Sequence, residues 1–389
     1  MDRARRRLAA LGLLAAGAPL ATHAAPDPAT TAPGRASPAP TPPGPAAPAT
    51  APAWDPVHPG PMRFPQDFGA HPGHRTEWWY ATGWLERPGA ADCGMQLTFF
   101  RSRTAHPDAN PSRFAPRQLV LAHAALALPE RGRLLHAERS ARAGFGLAGA
   151  EPGDTRVWID GGAGPWSLAR DAASDRYAAR VTARDFAMDL AFAPPGPPLP
   201  QGEGGFSRKG PGPLQASRYY SRPQLAVSGT IEVEGARTAV GGRAWFDHEW
   251  SSEILGADAP GWDWTGINLD DGGALMAFRI RRRDGGLVWR DATLREGPDG
   301  PVRTGLAPVF EPLRTWRSVR SGASWPVSMR VRVAGRDLEL RPLFDDQELD
   351  ARGSTGTTYW EGAVTAYEGG RRVGRGYLEL TGYAGALRL

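Results

Sequence analysis

The sequence predicts an all-β protein, on three observations. Large apolar residues after Trp54 recur with a period of two, the spacing at which side chains of a strand reach the same face. Those segments are short and are punctuated by Gly, Pro and Asp-Gly turn signals. No stretch carries a convincing helical pattern. Many short antiparallel strands joined by tight turns assemble as sandwiches or up-and-down barrels, and a closed barrel has no edge to protect. An eight-stranded barrel is wide enough for one small ligand.

Residues 1–24 read as an export signal: Arg3 and Arg5 to Arg7 are followed by an apolar run from Leu8 to Leu20 and by Thr22-His23-Ala24 as a small-residue cleavage site. The run is too short and too rich in Ala and Gly to span a membrane, and no later segment is a candidate. Arg5-Arg6 also suits twin-arginine export, so Sec and Tat both fit and the expected location is periplasmic or secreted. Residues 25–53 are Pro, Ala and Thr with almost no large apolar group, the composition of an unfolded, semi-rigid tether.

In Asp185 to Phe192 every second residue is large and apolar, as in a half-buried strand; Leu225, Val227, Ile231 and Val233 repeat the pattern against Ser228, Thr230 and Glu232. Residues 263–290 read as a meander turning at 270–273 and at 284–286. A last hairpin turns at Glu368-Gly369-Gly370 between 359–367 and 377–383. The Pro/Gly-rich stretch 193–217 fits either a floppy insertion or a lid over a cavity mouth.

Composition excludes some functions. Losing the four Arg and one Asp of the leader takes the formal charge from +5 to +2, and Lys209 is the only lysine, so the high isoelectric point reflects Arg rather than a basic face for nucleic acid. Cys93 is the sole cysteine, which excludes an intrachain disulfide, a thiolate metal cluster and an ordinary lipoprotein anchor. Stability must come from apolar burial, and the 14 Trp suit that.

Three segments could carry chemistry. Read as a strand, 76–85 puts Trp78, Tyr80, Thr82 and Trp84 on one face and Glu77, Trp79 and Leu85 on the other. Among indoles Glu77 would hold its proton; the alternative is a strand-end Glu paired with Arg. In 244–252 alternation sets Asp247 and Glu249 with Trp245, and His248 with Phe246 and Trp250, unless a bulge intervenes. Two carboxylates at that spacing can split their pKa values; the alternative is solvent-facing acids beside a core histidine. Trp262-Asp263-Trp264 repeats an acid between indoles, and Tyr219-Tyr220 could line a pocket or cover one. His71, His74 and Glu77 are spaced three apart, but His71-Pro72-Gly73-His74 reads as a turn, so no metal site is expected. No nucleophile elbow, phosphate loop or dinucleotide fingerprint is present; Ser221 and Ser251 stay open as nucleophiles.

These residues resemble a known family. Phe64-Pro65, His71-Pro72, Arg75-Thr76-Glu77-Trp78-Trp79-Tyr80 and Gly83-Trp84-Leu85 are similar to the opening of the AttH-like proteins, relatives of carotenoid 1,2-hydratases (CrtC). Residues 96–101, Ala122-His123-Ala124, Tyr220-Ser221-Arg222-Pro223, Asp247-His248-Glu249-Trp250, Gly261-Trp262-Asp263-Trp264 and 376–383 resemble its later motifs in order. The resemblance implies two tandem lipocalin-like antiparallel β-barrel domains, 54–249 and 250–389, with the motif residues around a pocket near their interface. It further implies binding of an apolar isoprenoid or acyl lipid and, in hydratase members, addition of water to a terminal C=C without a cofactor. On that reading Asp247 or Glu77 is the acid with Glu249 beside it, Trp78, Trp250 and Trp262 stabilise a cation, and His248 orients water. Trp79, Tyr80, His123, Tyr220, Asp263 and Trp264 complete the expected ligand contacts. The non-catalytic alternative is a periplasmic carrier working with ABC transporter components, with contact to a membrane surface as a further expectation.

Overall fold

The computed structural model describes residues 54–162 and 164–387, so the expected signal peptide and tether lie outside the described residues. Among these, the chain is strand and turn, with two single-turn 3-10 segments at Gln66–Phe68 and Pro129–Arg131. No helix is long and apolar enough to cross a membrane.

The strands in chain order are β1 Thr76–Glu86, β2 Cys93–Arg103, β3 Gln118–Ala127, β4 Leu134–Arg142, β5 Ala148–Ala150, β6 Arg156–Ile159, β7 Trp166–Arg170 and β8 Tyr177–Thr182. Next come β9 Phe186–Ala193, β10 Leu199–Pro200, β11 Phe206–Arg208, β12 Ala216–Val233, β13 Ala236–Glu253, β14 Gly261–Leu269, β15 Ala274–Arg281 and β16 Leu287–Arg295. The last are β17 Val302–Arg303, β18 Val309–Arg317, β19 Ser324–Val333, β20 Arg336–Pro342, β21 Glu348–Ala351, β22 Thr357–Glu368 and β23 Arg371–Leu380.

Two antiparallel sheets result. The first runs β4-β3-β2-β1-β13-β12-β9-β8-β7-β6-β5. Its two outer strands are sequence neighbours joined by a tight turn with a bridge between Gly144 and Ala148, so it forms a nearly closed barrel. Residues such as Trp79, Phe99, Val157, Trp166, Leu190 and Phe246 fill it. The second runs β17-β16-β15-β14-β23-β22-β20-β19-β18. Inward residues from near both of its ends, Leu294 on β16 and Phe310 on β18, share one core with Trp325 and Trp360, so this sheet also curls on itself. The chain passes between sheets at 254–260, and the expected division at 249/250 falls inside β13.

The stretch 193–217 is not a plain loop. Its short strands β10 and β11 both pair with β12, because the Pro/Gly content fixes turns rather than preventing pairing.

The sheets pack face to face, β1 against β23 and β2 against β22. Between them lies a further apolar core that includes Tyr80, Trp84, Tyr219, Trp245, Trp264, Phe278 and Tyr377. Polar clamps cross this seam. Gln224, at φ 61 in the β12 irregularity, donates its backbone N–H to Asn268 Oδ1 (2.7 Å) and donates through Nε2 to the carbonyls of Leu269 and Gly273. Asn268 Nδ2 donates to Ala244 O at 3.1 Å, and Trp84 Nε1 to Gly376 O at 3.1 Å.

The close approach at the seam needs Gly94: a Cβ there would lie 2.5 Å from Tyr377 Oη and 2.7 Å from Ala363 Cβ. Gly94→Val should destabilise the chain by about 1–3 kcal/mol by overpacking, read from the urea midpoint.

Candidate functional site

Four strands of the first sheet turn one face into the barrel and the other toward the second sheet. Register sets Trp78 opposite Glu249 and Phe100, Tyr80 opposite Asp247 and Thr98, and Ser221 opposite Asp247. These residues face the seam. The intervening Glu77, Trp79, Tyr220, His248 and Trp250 face the barrel interior. From the second sheet come Trp262, Trp264, Phe278, Ile280, Tyr359, Glu361 and Glu379, the last two directly opposite each other on β22 and β23. Together they enclose a cavity of about 300 Å³ whose wall surface is mostly apolar, with acidic, basic and hydroxyl side chains set into it. This is at the small end of ligand pockets.

Asp247 is the polar focus. Tyr219 Oη donates to its Oδ2 at 2.7 Å, while Ser221 Oγ and Trp245 Nε1 donate to Oδ1 at 2.5 and 2.7 Å. Trp264 Nε1 in turn donates to Tyr219 Oη at 3.1 Å, and Gln201 Nε2 to Ser221 Oγ at 2.7 Å. Burial pushes the Asp247 carboxyl up to about 7 even against those three donors, with the charge of Glu249 adding to the rise. Hydroxyls both donate and accept, so Tyr219 and Ser221 can serve either protonation state of Asp247.

Glu379 behaves alike. Burial raises it to about 7, opposed by the bond from Trp262 Nε1 at 3.0 Å and reinforced by the charges of Asp247 and Glu249. Burial and neighbouring Glu379 also raise Glu361 well above the carboxylate range, although Tyr80 Oη donates to it at 2.9 Å. His123 lines the cavity between Ser354 Oγ (2.8 Å) and Tyr359 Oη (2.6 Å), and burial lowers it to about 3, so it is neutral. Trp78 and Trp262 lie face to face, centroids 6.5 Å apart and planes 14° from parallel.

Residues 55–383 match the family described as AttH-like. The chain belongs to the AttH-like family. A crystal structure of a Nitrosomonas europaea protein assigned as AttH is similar over 85% of this chain and 100% of that one, with TM-score 0.77 and 50% identity. Kievitone hydratase from Nectria haematococca is similar at TM-score 0.62 and 15% identity, over 85% of this chain and 98% of its own. CghA is similar at TM-score 0.53 and 15% identity, over 84% and 95%. At 15% identity these two show the lipocalin-like fold alone. No protein of curated function matches the sequence.

In this AttH-like chain several expected site residues fall elsewhere. Glu77 borders the cavity, and its charged neighbours favour the ionised form over the proton-holding one expected from the sequence. Burial alone would raise its pKa, yet Arg101, 2.7 Å from Oε2, and the two histidines outweigh that and hold it well below the usual range. The ion pair with Arg, one of the two alternatives open from the sequence, is present in the structure. His248 cannot orient water in the cavity, because alternation turns it into the barrel, where Nε2 meets Glu77 Oε1 at 2.9 Å. Trp250 stacks on His71 there, centroids 3.6 Å apart, and Trp79 stacks on His248. Tyr220 also points inward, so its neighbour Tyr219 takes the expected place. Asp263, between two cavity-facing indoles, is held from the opposite face by Arg279 (2.6 Å) and Arg281 (3.0 Å).

Donor atoms of His71, Glu77 and His248 lie within 4.8 Å of one another, while His74 stands apart from this trio. The guanidinium already on Glu77 opposes a metal cation there, and His71 Nδ1 and His248 Nε2 are both bonded to the same carboxylate oxygen. The trio is a hydrogen-bonded brace inside the barrel.

Tyr219 belongs to the Tyr-Tyr pair already open as pocket lining, whereas Glu361, Glu379 and Lys209 are site residues not expected from the sequence. The signal for both glutamates was an acid next to large apolar or aromatic residues, in Tyr359-Trp360-Glu361 and Tyr377-Leu378-Glu379-Leu380, and for Lys209 its being the single lysine. Lys209 reaches the cavity from just beyond β11, with Nζ 2.9 Å from Glu249 Oε1.

Two outcomes follow. Glu77→Gln should cost about 3–5 kcal/mol, because it leaves Arg101 buried without its partner; chemical denaturation reads this. The Asp247 proton stabilises the fold below the unfolded carboxyl value, and that contribution is lost as pH rises through about 7. The melting temperature of Asp247→Asn relative to the parent protein should therefore rise between pH 5.5 and pH 8.5, as calorimetry at the two pH values (about one and a half units either side of that midpoint) would show.

Proposed function

We propose that this protein binds an apolar small molecule, an isoprenoid or acyl lipid, in the cavity between its two sheets and catalyses its hydration without a cofactor. The observation that carries this reading is a buried carboxyl, Asp247, that titrates near neutrality on an aromatic-walled cavity large enough for a guest. An acid of pKa near the working pH is a competent proton donor.

The chemistry is simple to balance. Asp247 transfers its proton to one carbon of a C=C, leaving a carbocation at the other. The faces of Trp78 and Trp262 stabilise that cation through their ring quadrupoles. Water adds to the cation and its released proton returns to the Asp247 carboxylate, restoring the acid. Tyr219 and Ser221 hold the carboxyl in place throughout. Glu379, which also titrates near 7, is a second proton store on the opposite wall. A fold neighbour named as a hydratase supports the reading, as does the membership of the AttH-like family. The export signal expected at residues 1–24 supports a periplasmic or secreted location as part of this proposal.

The test is incubation of the full mature chain in oxygen-labelled water with acyclic isoprenoids carrying an isolated terminal double bond. Mass spectrometry should detect a product heavier by one labelled water. The rate should fall as pH rises through about 7, as Asp247 loses its proton. Asp247→Asn should abolish turnover, a loss of about 100-fold or more for removal of a general acid. Binding without turnover in every case would overturn catalysis and leave a ligand carrier.

A further inference from the structure

Lys209 is hard to explain in a cavity meant only for hydrocarbon. The other 45 basic residues are Arg, yet the one lysine is 6% exposed and lines this cavity. A buried ammonium is costly unless its three donors are met. One is met by Ser207 Oγ at 3.1 Å. Glu249 supplies opposite charge at 2.9 Å but not an aligned hydrogen bond: its Oε1, itself buried, has no hydrogen-bond partner. Two ring faces also flank Nζ, that of Phe278 at 4.1 Å and that of Tyr219 at 4.9 Å. The ammonium is thus anchored by charge and by ring faces, with hydrogen-bonding capacity left over beside an open cavity.

The charges around it decide what can use that capacity. Glu249 already balances Lys209, and Asp291, raised to about 6 by burial with Lys209 pulling the other way, lies close enough to feel the ammonium. Asp247, Glu361 and Glu379 border the same space. An incoming carboxylate would be a second anion on an ammonium already paired with Glu249, so it would bury a net negative charge and gain little. A neutral oxygen acceptor meets no such penalty and supplies the missing lone pair.

We infer that Lys209 is the head-group anchor of the cavity and that its ligand is an apolar molecule ending in a neutral carbonyl, a ketone or ester, rather than a plain hydrocarbon or a fatty acid. This rests on the cavity being a ligand site, as proposed above, and names its ligand class. The carbonyl oxygen accepts from Nζ while the apolar remainder lies along Trp78, Trp262 and Trp264. Placing the polar end at Lys209 fixes the distance from that end to the Asp247 carboxyl.

The experiment compares three acyclic isoprenoids of similar size: geranylacetone, a ketone; farnesene, a hydrocarbon; and farnesoic acid. Quenching of the cavity tryptophans reads binding to the full mature chain near pH 7. Geranylacetone should bind at least about tenfold more tightly than either of the others, the range expected for a hydrogen bond to a charged donor. Lys209→Met, which keeps length and apolar bulk, should bring ketone and hydrocarbon to within about threefold by weakening the ketone alone. Lys209→Arg, which keeps charge and donors, should retain part of the preference if the fold is intact. Equal affinities in the parent protein, tighter binding of the acid, or a preference unmoved in Lys209→Met would overturn the anchor while leaving the cavity a ligand site. Failure of all three to bind would instead strike the reading of the cavity itself.

Discussion

Strands β1 and β13 have no solvent face over their paired core, and the rest of the structure depends on that constraint. A strand offers two faces of alternating side chains, and here one closes the barrel while the other meets a second sheet. Polar groups on these strands therefore depend on partners within the protein, and a few, such as Glu249 Oε1, go without a hydrogen bond. The barrel side answers with Glu77, Arg101, His71 and His248 bonded to one another. The seam side answers with Tyr219, Ser221 and Trp245 on Asp247, and with Lys209 near Glu249.

The contrast between Glu77 and Asp247 shows how environment divides like groups. Both are essentially buried carboxyls on paired strands, and burial pushes both upward. Glu77 has a guanidinium in contact and is driven to the ionised form. Asp247 has only neutral donors, which soften the penalty of burial without cancelling it. The first group braces the barrel; the second keeps a proton available near neutral pH beside an apolar cavity. Glu379 repeats the second solution from the other sheet, so acids of the same tendency face the cavity from two sides.

The cavity exists because the seam is held apart as well as held together. Clamps at Gln224, Asn268 and Trp84 tie the sheets, and large rings such as Trp264, Tyr219 and Phe278 prop them along one flank. Where the rings stand as wall rather than filling, space for a guest is left. The segment 199–215 adds to that wall, because pairing with β12 carries Lys209 inward. Its Pro/Gly composition suggested looseness, but tight turns are what let so short an insertion reverse twice and still pair.

The sequence by itself determined the class of fold, because period-two burial is a local property that survives any packing. It also determined that Asp247 and Glu249 oppose His248, since alternation permits nothing else in an unbulged strand. What it left open was which face would meet which neighbour, a matter of contacts between residues far apart in the chain. Only the tertiary structure decided that Arg101 would ionise Glu77, that Arg279 and Arg281 would claim Asp263, and that Glu379 and Lys209 would join Asp247 around one cavity. The charge state of a carboxyl depends on what lies within a few ångströms of it, and those neighbours are chosen by how the sheets pack.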